Sequence, residues 1–197
     1  LNGVTYNDLD SRLPVEEYYQ KMREGAVPTT AQINEFSAHE YLSRLIETGE
    51  DVLHIGFSSA LSGSTDTMKR VAEELNATHA NKIVVIDSLN ASIGEGILVL
   101  KAHDLMKEGK NIDEIAEEIT KLLPYACSYF TVDQLKYLVR GGRLSKVSGM
   151  LGTLLNIKPV LRVDESGHLV AYKKVISRRK ALGEIVNICK QKIADTK

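Results

Sequence analysis

The sequence predicts an α/β fold: a parallel-sheet α/β first domain over residues 1–122, followed by a smaller α+β second domain over 123–197. Three observations predict it. Short apolar runs of strand length alternate with amphipathic helices through the first part, the pattern of right-handed βαβ units around a parallel sheet. Beyond that part the order becomes helix, hairpin, helix. Charge divides at the same place: residues 1–121 carry 11 basic and 21 acidic side chains, net −10, whereas 122–197 carry 14 and 5, net +9. Either these are two units with different surfaces, or solvated charges have segregated by chance.

In order along the chain, Pro14 opens a helix through VEEYYQKMRE, and Gly25 stops it. A loop AVPTTAQ follows, with Pro28 holding Val27 extended. Asn34 is placed to cap the next helix, whose Phe36, Leu42, Leu45 and Ile46 recur at helical spacing. Residues 52–57 (VLHIGF) form a first strand. The loop SSALSGS turns it into the helix TDTMKRVAEELNA. Residues 82–87 (KIVVID), rich in β-branched side chains, form the second strand. SLNAS leads from it into a helix carrying Ile97, Leu98, Leu100, Leu105 and Met106, which Gly109 ends. A further helix covers 113–123. Residues 129–132 are a strand, DQLKYLVR a helix stopped by Gly141-Gly142, and KVSGMLGTLLN an apolar helix. KPVLRV and HLVAYKKV, joined by DESG, form a hairpin with Gly167 in the turn. A helix over 178–193 follows.

Composition excludes several classes. With 43% apolar residues and a net charge of −1 over 197 residues, the chain is neither disordered nor broadly basic enough to suggest nucleic-acid binding. No apolar run approaches the ~20 residues of a membrane-spanning helix. Cys127 and Cys189 have no Cys or His at ligand spacing, so neither a disulfide framework nor a metal site is expected, and the reducing cytoplasm is the expected compartment. Leu1 in place of Met suggests that the sequence starts inside a longer reading frame.

Two polar loops lie after strand ends, where parallel α/β sheets place their ligand crevice: 58–65 (SSALSGST) and 87–92 (DSLNAS). Ser62 is placed to cap the following helix, which would leave the amides of Gly63 and Ser64 at its positive end. That arrangement suits a carboxylate or phosphate, and plain capping is the alternative. GFSSA at 56–60 resembles a truncated nucleophile elbow without its second glycine, and His168 alone follows residue 103 as a possible base, so Ser58 is a weak nucleophile candidate. No phosphate-loop or dinucleotide fingerprint is present. His39, His54, His79 and His103 show no paired ligand spacing. Arg140-Gly141-Gly142-Arg143 and Arg178-Arg179-Lys180 read either as docking points for an acidic partner or phosphate, or as solvated basic faces.

PTTAQ, SSALSGS, IDSLNASIGEG, VDQLKYLVRGGRLS and LLNIKPVL occur in this order and at these intervals. Together they resemble the DegV family of bacterial fatty-acid-binding proteins, from about Tyr6 to Lys190. The resemblance implies a fatty acid held in an apolar tunnel between an α/β and an α+β domain. It also implies an Asp-Ser-Thr strand before, and further strands and helices after, the stretch seen here. Thr30 and Ser62 match the motif threonine and serine whose hydroxyls meet the carboxylate. The usual Thr-Ser-Gln-Pro-Ser is here Thr30-Ala31-Gln32-Ile33-Asn34, and the usual Leu-Ser-Gly-Thr is Leu61-Ser62-Gly63-Ser64.

The expected carboxylate site is therefore Thr30, Ser62, Gly63 and Ser64, with Ile93, Ile97, Leu98, Met150, Leu151 and Leu154 as tunnel candidates or else ordinary core. The resemblance further implies a separate fatty acid kinase that phosphorylates the presented carboxylate for phospholipid synthesis. No catalytic residue, cofactor or metal is then expected in this chain. Arg140, Arg143, Arg178 and Arg179 are the candidates for kinase docking. An acyl-processing enzyme using a loop serine and a lipid-free sensor or structural relative are the alternatives.

Overall fold

The computed structural model describes residues 1, 3–6, 12–144 and 157–193. The chain separates into two compact units, Leu1–Ala31 and Gln32–Lys197. The small unit holds one helix, α1 (Val15–Arg23), which buries no side chain along its length. Glu17–Lys21 at i,i+4 and an edge-to-face pair of Tyr18 and Tyr19 brace it, and Gly25, at φ +106°, ends it as expected.

The large unit opens on α2 (Glu35–Ile46), capped by Asn34, whose side chain accepts the Ser37 amide at 2.8 Å. There follow β1 (Val52–Gly56), α3 (Ser64–Asn76), β2 (Ile83–Asp87), α4 (Ile93–Lys107) and α5 (Ile112–Leu122). β1 and β2 pair in parallel, Val52 opposite Ile83 through Gly56 opposite Asp87. Alternation along both strands explains the layering. Val52, Ile83 and Val85 join Ala38, Leu42, Ile46, Met68, Val71 and Leu75 from α2 and α3 on one face. Leu53, Ile55, Val84 and Ile86 meet Leu98, Ala102, Leu105, Ile115 and Ile119 from α4 and α5 on the other.

A 3-10 turn, Leu123–Tyr125, leads into β3 (Tyr129–Thr131), α6 (Lys136–Arg140), β4 (Ile157–Val163), β5 (Leu169–Ile176) and α7 (Arg178–Lys192). These strands form an antiparallel sheet in the order β3-β4-β5, with α7 packed on it through Val160, Ala181 and Ile188. β4 is the middle strand, yet it contains Pro159, which has no amide to donate. The register resolves this: β3 pairs only with Val160–Arg162, so at Pro159 the strand has a neighbour on one side alone. The parallel α/β layer and the antiparallel layer match the predicted fold class. The apolar helix expected over 146–156 lies outside the described residues. No helix among those described is long and apolar enough to cross a membrane.

His54 sits in the middle of β1 opposite Val85, half-buried, and burial pushes its pKa below the ordinary value. The unfolded chain therefore takes up a proton near pH 6.5 that the folded chain resists, so stability rises with pH through that window and falls as pH drops below it. His54→Gln is expected to flatten the dependence of melting temperature on pH between about 5.5 and 7. Equal slopes for the two proteins would assign the acid sensitivity elsewhere.

Candidate functional site

Both loops singled out by sequence lie at the C-terminal ends of the parallel strands and are tied to each other. The Ser58 amide donates to the Asn90 carbonyl at 2.9 Å, and the Ser59 amide to the Asp87 carboxylate at 3.3 Å. Asp87 also takes the Leu89 amide at 3.0 Å, and Ser88 Oγ takes the Asn90 amide at 3.1 Å. These bonds hold Leu89 at a positive φ of +49°, and Ser92, at the far end of the same loop, takes +55°. Such conformations cost on the order of 1 kcal/mol or more and persist where the surroundings overdetermine them. Asn90, itself buried, continues the network: its Oδ1 accepts the Ser128 hydroxyl at 2.6 Å, and its side-chain amide donates to the Ala126 carbonyl.

At the end of β1 the backbone comes very close to α3. A Cβ on Gly56 would stand 2.3 Å from Thr65 Oγ1, and that hydroxyl donates to the Phe57 carbonyl at 2.6 Å. The N-cap of α3 is Gly63, not Ser62 as the sequence suggested. Ser62 stands one residue outside: its amide donates to the Ser58 carbonyl at 3.1 Å, and its Oγ lies 3.0 Å from Ser64 Oγ and accepts the Ser64 amide at 3.3 Å. Ser64 Oγ also accepts the Ile33 amide at 3.3 Å. A Cβ on Gly63 would stand 2.1 Å from Gln32 Oε1, so glycine there lets the Gln32 side chain lie against the turn. Ser62, Gly63 and Ser64 are half-buried, at the positive end of a 13-residue helix. One hydroxyl of the pair donates to the other, so the pair has one hydroxyl proton left to offer beside the positive end of the helix.

The family model described as "Uncharacterised protein, DegV family" matches residues 1–197. The chain belongs to the DegV family. It is 38% identical over 182 residues to a DegV domain-containing protein of Clostridium perfringens, covering 92% of this chain and 62% of that one. Among solved structures, a DegV family protein from Thermus thermophilus, described for its fatty acid binding, is 32% identical at a TM-score of 0.83, over 98% of this chain and 67% of that one. A fatty acid binding DegV family protein from Streptococcus agalactiae is also 32% identical at 0.83, over 94% and 65%.

The other expected positions of this DegV chain fall as follows. Thr30 is exposed and belongs to the Leu1–Ala31 unit. Leu98 is a core residue at 2% exposure, packed with Ile86 and Ile119, whereas Ile93 and Ile97 are 77% and 57% exposed on α4. Met150, Leu151 and Leu154 lie outside the described residues. Arg143 donates from Nε to the Leu61 carbonyl at 3.2 Å, directly beside Ser62. Arg178 is paired with Asp133 at 2.9 Å, while Arg140 and Arg179 are exposed.

Ser58 is fully buried with its hydroxyl donated to the Gly167 carbonyl at 2.9 Å, which is a structural bond and not the exposed elbow of a nucleophile. Among the described residues no group of three His, Cys, Asp or Glu is arranged to hold a metal ion. The sequence reading missed the role of Asn90 and, beyond its place in the hairpin turn, the bond of Gly167 to Ser58. Asn90 stood inside the DSLNAS loop, but its partners at Ala126 and Ser128 are set by the fold.

Proposed function

We propose that this chain binds a long-chain fatty acid and presents its carboxylate to a separate fatty acid kinase for acyl-phosphate formation. The observation that carries the reading is the Ser62–Ser64 hydroxyl pair at the N-terminus of α3, in a chain 32% identical to two DegV proteins described as fatty acid binding. The helix end and the hydroxyls favour a carboxylate, and the family motif adds the Thr30 hydroxyl to the same role. Each buried methylene of the tail contributes about 0.8 kcal/mol, so the acyl chain supplies most of the affinity and the hydroxyls fix its orientation. Ile93 and Ile97, exposed on α4, are the proposed contacts for the tail, with Met150, Leu151 and Leu154 carried over from the sequence.

In this reading the functional division falls between residues 122 and 123, the protein acts in the cytoplasm, and the phosphoryl-transfer chemistry belongs to the kinase. The chain spans 62% of the Clostridium relative and 67% of the Thermus one, so the activity of the whole protein is part of the proposal.

Solvent extraction of purified protein, read by mass spectrometry, is expected to release a fatty acid, and titration with oleate to show saturable binding. Absence of both would overturn the reading. Thr30→Val is expected to weaken oleate binding. Kinase docking is tested separately at Arg140 and Arg179, because Arg178 is already committed to Asp133. Reversing both to Glu is expected to slow phosphorylation of bound fatty acid with lipid affinity unchanged, since rim charges govern encounter and partner choice. Raising salt should reproduce the effect, because the Debye length is only about 8 Å at physiological ionic strength. Unchanged phosphorylation would leave these arginines as a solvated face.

A further inference from the structure

We infer that Ser58 is a positioning residue for the turn that carries Ser62, and that the β4–β5 turn sets the geometry of that turn through it. Ser58 is fully buried and its polar groups leave in three directions. Its amide donates to the Asn90 carbonyl, fixing it to the loop after β2. Its carbonyl accepts the amides of Leu61 and Ser62 at 3.0 and 3.1 Å, which closes the turn ending in Ser62. Its hydroxyl donates to the carbonyl of Gly167, 109 positions further along the chain, at 2.9 Å.

The acceptor is held as firmly as the donor. Gly167 is buried at φ +80°, and its amide donates to the Asp164 carbonyl at 2.9 Å. Asp164 Oδ1 takes the amides of Ser166 and His168 at 3.0 and 2.9 Å. A Cβ on Gly167 would stand 2.1 Å from Ser58 Oγ and 3.3 Å from Leu89 Cα, so glycine is what allows the turn to seat against both strand-end loops. Removing the Ser58 hydroxyl leaves a buried carbonyl without its donor and releases the residue whose own carbonyl orients Ser62.

The binding consequence rests on the head-group assignment of Ser62, but the conformational one does not. The test therefore has two readouts. Hydrogen–deuterium exchange of the peptide covering 58–64 is expected to be faster in Ser58→Ala and in Gly167→Ala than in the wild type. Unchanged exchange there would overturn the inference. Oleate binding by Ser58→Ala is expected to be about tenfold weaker, and Ser58→Ala/Ser62→Ala is expected to bind as Ser62→Ala does alone, because Ser58 acts through Ser62. Additive losses would show a general structural role and overturn the inference too. If the alanine variant fails to fold, Ser58→Cys, a weak donor of similar size, carries the same comparisons. A wild type that binds no oleate would sink the fatty-acid reading alone, and exchange would still decide the positioning role.

Discussion

Ser62→Ala is expected to weaken fatty-acid binding by about 1–3 kcal/mol, roughly 5- to 150-fold, at an unchanged melting temperature. The two halves of this expectation have separate causes. A hydroxyl facing a charged carboxylate contributes more than one facing a neutral group, and the donor cannot be replaced by water where the head group excludes it. Stability is spared because Gly63 is the N-cap of α3, and the Ser62 amide, not its hydroxyl, makes the bond to Ser58 that closes the turn. Alanine keeps that amide. Isothermal titration with oleate and a melting curve on the same preparation check it. A lowered melting temperature with unchanged affinity would reduce Ser62 to a local brace for the Ser64 amide.

The contrast between Ser62 and Ser58 shows what was legible in the sequence. Elements were readable where the cause is local: a short apolar run at 52–57, a β-branched one at 82–87, Asn34 three residues ahead of the amide it accepts, and Gly25, Gly109 and Gly167 where the backbone takes positive φ. The loops were readable for the same reason, since a polar run after a strand marks the crevice end of a parallel sheet. Partners set by the fold were not. Nothing near Ser58 in the chain announces Gly167, and nothing near Arg143 announces the Leu61 carbonyl.

Two element ends shifted for similar reasons. α6 starts at Lys136 and not at Asp133, because Asp133 is engaged by Lys158 and Arg178 from other elements. The N-cap is Gly63 and not Ser62 because the Gly63 carbonyl accepts the Thr67 amide at 3.1 Å, which starts the helix, while the Ser62 amide is turned back to the Ser58 carbonyl. The charge split was visible, but pairing alters its meaning: Arg162 with Glu165 and Lys173 with Glu184 are matched locally, and Arg178 with Asp133 withdraws one of the four proposed docking arginines.

Leu161→Ala is expected to destabilise the protein by about 2–5 kcal/mol. Leu161 is fully buried in the central strand of the antiparallel sheet, opposite Phe130 on β3 and Ala171 on β5. It packs in one cluster with Leu135, Leu144 and Leu169, and with Leu61 from the loop that carries Ser62. Truncation removes the transfer free energy of the lost carbons and leaves a cavity whose walls come from several elements and cannot all close on it. Because Leu61 is one of those walls, the loss should also reach the head-group turn, so oleate affinity should fall along with the melting temperature. Saturating oleate should restore part of the stability by mass action, about 2.7 kcal/mol at a hundredfold excess over Kd. Thermal melts with and without oleate measure both effects. A variant that melts as the wild type does would show that the cavity collapses, and one that loses stability with full affinity would show that Leu61 and Ser62 do not depend on this core.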